Sequence, residues 1–276
     1  MLYWPWLLGI SVLFVVLELL LPARPAERGW RRQFGNDLFY LAFNGHFYAV
    51  VAGGFVGAVA VTAQRWLEPW LPFAGDGSGI ARWPFAAQFV VFLVVSDFLQ
   101  WCVHNLLHRV PLLWQFHKVH HSVARMDWAA NFRFHWIEVV VYRSLLFVPL
   151  GLLGGNVEPL FAVAVFATFY GHLNHANLKL QFGPLRYVLN GPEMHMWHHD
   201  ASREGGVAKN FAIVFSAWDW LFRTAYWPRD RAPARLGYEG DAEMPPDLPR
   251  QLVFPLFRRR AAPVDQAGPV EPVRQP

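Results

Sequence analysis

Eleven of the twelve histidines fall between His104 and His199, and most of them stand in tight groups. The groups read HNLLH (His104, His108), HKVHH (His117, His120, His121) and HMWHH (His195, His198, His199). On a helix, residues three and four apart share a face, so each group aims two or three imidazoles at one point. Neutral imidazole is the commonest metal ligand, and one first-row ion takes about four to six ligands. The eight clustered imidazoles exceed the needs of one ion, so the pattern predicts two. Haem would ask only for single axial ligands on separate helices, with nothing demanding pairs at i+3 and i+4.

A fourth group, YGHLNHAN, places His172 and His175 where they would complete the two coordination spheres. His135, in NFRFHWIE, sits at a helix start, where a supporting or surface role fits as well as coordination; His46 stands alone in an apolar run and reads as structural. Asp97 lies seven and eleven residues before His104 and His108, on the same helical face. A carboxylate there would accept the second ring N–H of a ligand histidine, the plainer alternative being an ion pair at the membrane interface. Glu193 and Asp200, flanking the last group, are similar supporting candidates.

The elements that must carry these residues are apolar helices. The chain is 54% hydrophobic, with 14 Trp and 24 Phe and only 16% charged residues, too apolar for an ordinary soluble domain of 276 residues. The fold class expected is an all-α integral membrane protein: a transmembrane helical bundle with a cytoplasmic histidine-rich di-metal cap. Residues 2–21 are almost continuously apolar, with Glu18 as the one acid, and are long enough to span the bilayer hydrocarbon. A cleaved signal peptide competes poorly, because no positive charge precedes the run and the run exceeds a usual signal core. Residues 38–63 and 85–103 give two more spans, the former glycine-rich. Residues 136–153 and 160–170 flank a Gly-Gly-Asn turn at 154–156, and the second stretch is too short to cross alone, so the pair reads as a hairpin dipping into the bilayer.

Arg24, Arg28, Arg31 and Arg32 against Glu27 make the first loop cytoplasmic by the positive-inside rule, and counting crossings then brings every histidine group to that side. The expected organisation is 1–84 for the N-terminal membrane helices and loops, 85–227 for the catalytic part and 228–276 for a C-terminal tail, disordered from about Ala261. With Cys102 as the one cysteine, the chain builds no internal disulfide, cysteine zinc ribbon or cysteine-ligated iron–sulfur cluster. The net charge of +4 sits beside apolar segments with no nucleic-acid-binding motif, which points to a membrane surface and excludes a nucleic-acid partner.

From about Asp97 to Trp227 the order and spacing of these groups resemble the fatty acid hydroxylase and sterol desaturase superfamily, whose pattern is HxxxH, HxxHH and a late HxxHH between membrane helices. The following stretch KNFAIVFSAWDWLFRTAYWP, with Asn210, Phe211, Trp218, Asp219 and Thr224, is similar to the closing segment of that superfamily. The resemblance implies a non-haem di-iron centre (two Fe ions), O2 as co-substrate and a lipid substrate such as a sterol or fatty acyl chain. It ranks His175 above His172 as a ligand. Both hydroxylation and desaturation begin with hydrogen abstraction and stay open. The chain has neither an HPGG-like haem segment nor a GxGxxG flavin fingerprint, so a separate electron donor is expected, a ferredoxin or a cytochrome b5-type protein with its reductase. The alternative class is a non-redox membrane metal protein: a zinc-dependent hydrolase using a carboxylate base such as Glu193, or a metal transporter.

Overall fold

The computed structural model describes residues 2–27, 31, 33–67, 70, 79–202, 209–228 and 230–256. Among them the regular structure is entirely helical, with two isolated bridges, Pro22 to Leu178 and Asp200 to Leu236, in place of any strand. The longest helices are α1 (Trp4–Leu20), α2 (Phe34–Ala42), α3 (Tyr48–Leu67), α4 (Phe85–Arg109), α5 (Pro111–His121), α6 (Trp136–Leu152) and α7 (Val157–His175). Three short ones follow: α8 (Pro192–His198), α9 (Ala217–Leu221) and α10 (Leu248–Val253).

Helix α1 buries Leu7, Ser11 and Phe14, one stripe at i, i+4 and i+7, and leaves Trp4, Leu8, Val12 and Leu19 exposed. Its acid is not free in the apolar surroundings: Glu18 Oε1 accepts the backbone N–H of Trp128 (2.9 Å) and of Asn177 (2.7 Å). Helices α2 and α3 join through a π-helical turn at Phe43–Phe47. There Asn44 Nδ2 donates to the carbonyls of Phe132 and Phe134, both at 2.8 Å, which explains an insertion that would otherwise weaken the helix. The span expected at 38–63 is thus an interrupted helix.

Among the described residues, α4 is the one helix both long and apolar enough to cross a membrane; Trp4–Leu20 and Gly53–Ala63 are apolar but shorter. At 1.5 Å per residue its 25 residues reach about 37 Å. It ends where Pro111 follows Val110, because the residue before proline is driven into extended geometry. The chain therefore turns within one residue and α5 starts with a new direction.

The two apolar stretches expected to pair as a hairpin instead form helices that pack mainly on other elements, α6 on α3 and α4 and α7 on α1 and α4, and the second runs from 157 to 175 rather than 160 to 170 and so carries both His172 and His175. Gly154 turns with φ +64°, and a Cβ on Gly155 would lie 2.3 Å from Phe92 Cζ, so both glycines are required where the turn between α6 and α7 meets α4. Phe14, Phe92, Leu146, Leu150, Val163 and Tyr170 make one core from α1, α4, α6 and α7. After Trp227 the chain stays folded to 256: Tyr238, Met244 and Phe254 pack against Tyr40 and Val119. Arg28, Arg32 and the segment from Ala261 lie outside the described residues, whereas Arg24 pairs with Glu27 (3.2 Å) and Arg31 with Asp127.

Candidate metal centre

The ends of α4, α5, α7 and α8 converge and bring nine imidazoles into two adjoining sets. His104, His108, His117, His121 and His198 form one, and His120, His175, His195 and His199 the other, the candidate ligand atoms of each lying within 4.8 Å of one another. The helical spacing explains the sorting. His117 and His121, four apart on α5, enter the first set, while His120 is rotated into the second; in the last group His195 and His199 enter the second and His198 the first. Each three-histidine group thus serves both sets, which touch where the rings of His121 and His199 stack with centroids 4.3 Å apart.

Hydrogen bonds from the far side of the rings fix which nitrogen faces inward. His104 Nδ1 donates to Phe211 O (2.8 Å), His198 Nδ1 to Lys209 O (2.8 Å) and His175 Nδ1 to Gly171 O (2.7 Å). A carbonyl only accepts, so these rings carry the proton on Nδ1 and turn a lone pair on Nε2 toward the set. His117 Nδ1 lies 2.7 Å from Glu138 Oε1, the carboxylate form of the same arrangement. The inward atoms His104 Nε2, His117 Nε2 and His198 Nε2 are buried with no hydrogen-bond partner, as are both nitrogens of His199 and the Nδ1 atoms of His120 and His195, whose Nε2 atoms face His175.

So many orphaned nitrogens would be costly unless something binds them. Two nitrogens bound about 2.1 Å from one ion stand about 3.0–3.4 Å apart for angles between 90° and the tetrahedral value. The pairs His175–His195 (3.0 Å), His121–His108 (3.1 Å) and His175–His120 (3.3 Å) have that spacing. The residues present therefore fit two metal ions. Burial, with repulsion from neighbouring rings, holds His120, His121, His195 and His199 well below the usual imidazole value, and the same burial acts on His117 and His198. All six are neutral at physiological pH, the form that binds metal.

A strap from Lys209 to Phe215 supplies two of the orienting carbonyls and is itself held by buried acids. Asp219 accepts from the backbone of Phe211 (2.9 Å) and Ala212 (2.9 Å), from Trp101 Nε1 (3.0 Å) and from Thr224 Oγ1 (2.6 Å). Asp97 accepts from the backbone of Val214 (2.8 Å) and Phe215 (2.9 Å) and from Trp218 Nε1 (3.0 Å). Asn210 adopts φ +54° at the start of the strap, and its side chain donates to Met194 O (2.8 Å) and Tyr226 O (2.7 Å). Behind α5, the buried Arg133 donates to Val119 O (3.1 Å) and Asp37 Oδ1 (2.9 Å), fixing the helix end that carries His120 and His121.

Several expected supporting residues take other places. Asp97 bonds the strap and no histidine ring: seven residues along a helix are about 10.5 Å, beyond the reach of a carboxylate. Asp200 accepts from Lys209 Nζ (2.8 Å) and Ser202, which outweigh burial and hold its carboxyl below the usual range. Glu193 accepts from Gln181 (2.9 Å) at a surface cleft. His172 stands outside both sets: its Nδ1 accepts from Asn131 Nδ2 (2.9 Å) and its Nε2 reaches Ser11 Oγ (3.2 Å), so no lone pair is left for a metal. His135 caps α6, accepting from Ile137 N (3.2 Å) and donating to Leu252 O (2.9 Å), and His46 lies in the π-turn, in neither set. The carboxylate that does face a ring is Glu138, which sequence reasoning passed over although an acid at the head of an apolar helix is itself a signal.

Nine imidazoles in two interlocked sets at the ends of apolar helices make a candidate histidine-box metal centre in an all-helical chain. The chain belongs to the fatty acid hydroxylase family, whose pattern matches residues 89–224, a range that contains every member of both sets. It is 31% identical over 242 residues to an ornithine lipid hydroxylase of Rhizobium tropici, covering 85% of this chain and 70% of that protein. A very-long-chain aldehyde decarbonylase of Oryza sativa subsp. japonica is 31% identical over 142 residues, 50% of this chain and 46% of its own length. Human alkylglycerol monooxygenase is 31% identical over 131 residues, 46% of this chain and 28% of its own. No solved structure matches.

Proposed function

We propose that this chain is a membrane-bound lipid hydroxylase whose two histidine sets hold a pair of iron ions and whose electrons come from a separate donor. The observation that supports the reading is the two adjoining sets of buried imidazoles, each with ring nitrogens left unpartnered and with neighbouring nitrogens at the spacing of ligands to one ion. Iron held there would supply the O2 chemistry that oxidises an unactivated C–H bond, with the balance R–H + O2 + 2 e⁻ + 2 H⁺ giving R–OH + H2O. The chain's own contribution is to hold the ligands neutral, to aim them through Phe211 O, Lys209 O, Gly171 O and Glu138, and to keep water from the burying face.

Hydroxylation is preferred over desaturation because two of the three relatives above are named for oxygen insertion, while the decarbonylase shows that related chains reach another outcome. A polar lipid as substrate agrees with the relative matched over most of this chain. A zinc hydrolase needs a carboxylate base at the open metal position; Glu193, the residue cast for that part, is bonded to Gln181 instead. The same reading places the histidine sets at the cytoplasmic membrane surface, with a ferredoxin or cytochrome b5-type donor docking there.

The test is elemental analysis of the detergent-purified full chain together with O2 uptake in the presence of membrane lipid and a reductant system. About two irons per chain and lipid-dependent uptake with an oxygenated lipid product are expected. Protein that turns lipid over without metal, or without O2, removes the proposal.

A further inference from the structure

Away from the histidine sets, two opposite charges share a surface cleft without neutralising each other. Arg186 and Glu193 both line a cavity of about 130 Å³, with Gln181, Met194 and Trp227 among its other walls. Among the described residues neither makes an ion pair. The Arg186 guanidinium lies 4.1 Å from the ring centre of Trp227 and 4.8 Å from that of Tyr187, donates to Gly183 O and Tyr187 Oη at 3.2 Å, and keeps its Nε buried with no acceptor. Stacking of this kind holds the cation in place while leaving its charge unmatched.

Exposed apolar side chains stand on the segments beside the cleft. Leu185 (58%), Val188 (50%), Leu221 (66%) and Phe222 (46%) stand out from the 3-10 turn Gly183–Tyr187, the residue after it and α9 with its cap. The segments form one face, since Ser216 Oγ (2.6 Å) and Trp220 Nε1 (3.1 Å) both donate to Arg186 O and the rings of Tyr187 and Trp220 lie 4.9 Å apart. Exposed aliphatic side chains mixed with Trp and Tyr mark a surface that meets the headgroup region of a bilayer. The inner wall is Met194, next in the chain to His195 of the second set.

We propose that this cleft seats the zwitterionic headgroup of a membrane lipid, with its anionic group against Arg186, its amine against Glu193, and its acyl chains running over the exposed apolar side chains beside it. A cleft that holds opposite charges apart selects a ligand carrying both, since a singly charged or neutral headgroup leaves one of the two unmatched. The inference rests on the lipid reading above and narrows the class of lipid.

The experiment is native mass spectrometry of the purified, metal-loaded full chain in detergent under argon, titrated with short-chain phosphatidylethanolamine, phosphatidylglycerol, diacylglycerol and soluble glycerophosphoethanolamine. Phosphatidylethanolamine is expected to bind about tenfold tighter than the anionic or the neutral lipid, the fold-change of one charge-assisted hydrogen bond. Arg186→Gln and Glu193→Gln are each expected to erase that preference while iron content stays at the wild-type value. Equal binding of the three lipids by the wild type overturns the proposal even if neither variant inserts. So does a soluble headgroup that binds as tightly as the lipid, or a variant that keeps the preference. Lipid-dependent O2 uptake in air without headgroup preference sinks this inference alone; headgroup preference without any uptake sinks the hydroxylase reading alone.

Discussion

Replacing Asp219 by Asn tests whether the strap aims the first histidine set. The carboxylate accepts four bonds, three on Oδ1 (Trp101, Phe211 N, Thr224) and one on Oδ2 (Ala212 N). An amide oxygen at the Oδ1 position keeps three of these in weaker neutral form, but the NH2 then faces the Ala212 N–H at about 2.9 Å, donor against donor. One buried donor left without an acceptor costs about 1–3 kcal/mol, and the loss of charge assistance on the others brings the total to about 3–5 kcal/mol. The strap then drifts, and with it Phe211 O, which orients His104, and Lys209 O, which orients His198. Both rings belong to the set of five, while no ring of the set of four bonds to the strap. Loss of a partner of this kind lowers metal affinity about 10- to 100-fold. Chelator competition followed by elemental analysis should show iron falling from two toward one per chain in D219N, with one of two Mössbauer signals lost. A variant that holds both irons with wild-type affinity, or that loses them equally, refutes the strap argument.

Further outcomes follow from the same geometry. Glu138→Gln keeps a hydrogen-bond acceptor for His117 but removes its charge, so metal affinity should fall about tenfold with little change in helix content, read by chelator competition and circular dichroism. His175→Asn should lose metal from the set of four, whereas His172→Asn should keep both ions and lose only about 1–3 kcal/mol of stability through Ser11 and Asn131; metal loss in the latter would make His172 a ligand. Acid should destabilise the protein. The six imidazoles on α5 and α8 have values below 6.5 in the fold, so below pH 6.5 the unfolded chain takes up protons that the folded chain does not, and stability falls as pH drops. Each contributes up to about 1.4 kcal/mol between pH 7.5 and 5.5, and a melting temperature unchanged over that interval would contradict their burial.

The histidine groups were legible because their spacing is a property of one helix. HxxxH and HxxHH put rings on one face whatever the tertiary fold, and His104, His108, His117, His120, His121, His175, His195, His198 and His199 lie together in the two sets. Which set each joins was not legible, since it depends on how four helix ends meet. Asp97 could be singled out as a costly acid in an apolar helix, but its partners Val214 and Phe215 are backbone groups more than a hundred residues away, and a backbone N–H has no residue-type signature. The same reason hid Phe211 O and Lys209 O. His172 and His175 look alike in sequence; one lies a turn deeper, under Trp128, and is consumed by Asn131, whose approach requires the missing side chain of Gly171. Hydropathy ends α7 too early because its polar end, GHLNH, is buried against the strap and α8, an environment that an apolar run cannot foresee.

The crossing of the histidine groups between sets bears on how the protein is made. His104 to His121 leave the ribosome early, yet the set of five waits for His198 and the set of four for His175, His195 and His199. Neither centre can close until translation has passed residue 199 and α8 has folded back onto α5. Under the proposed function, metal loading would therefore come late, after α6 and α7 have been made. A chain truncated or stalled before α8 would carry only half-built sets, and, if iron is what they hold, the cell would be spared an oxidising centre on an unfinished polypeptide.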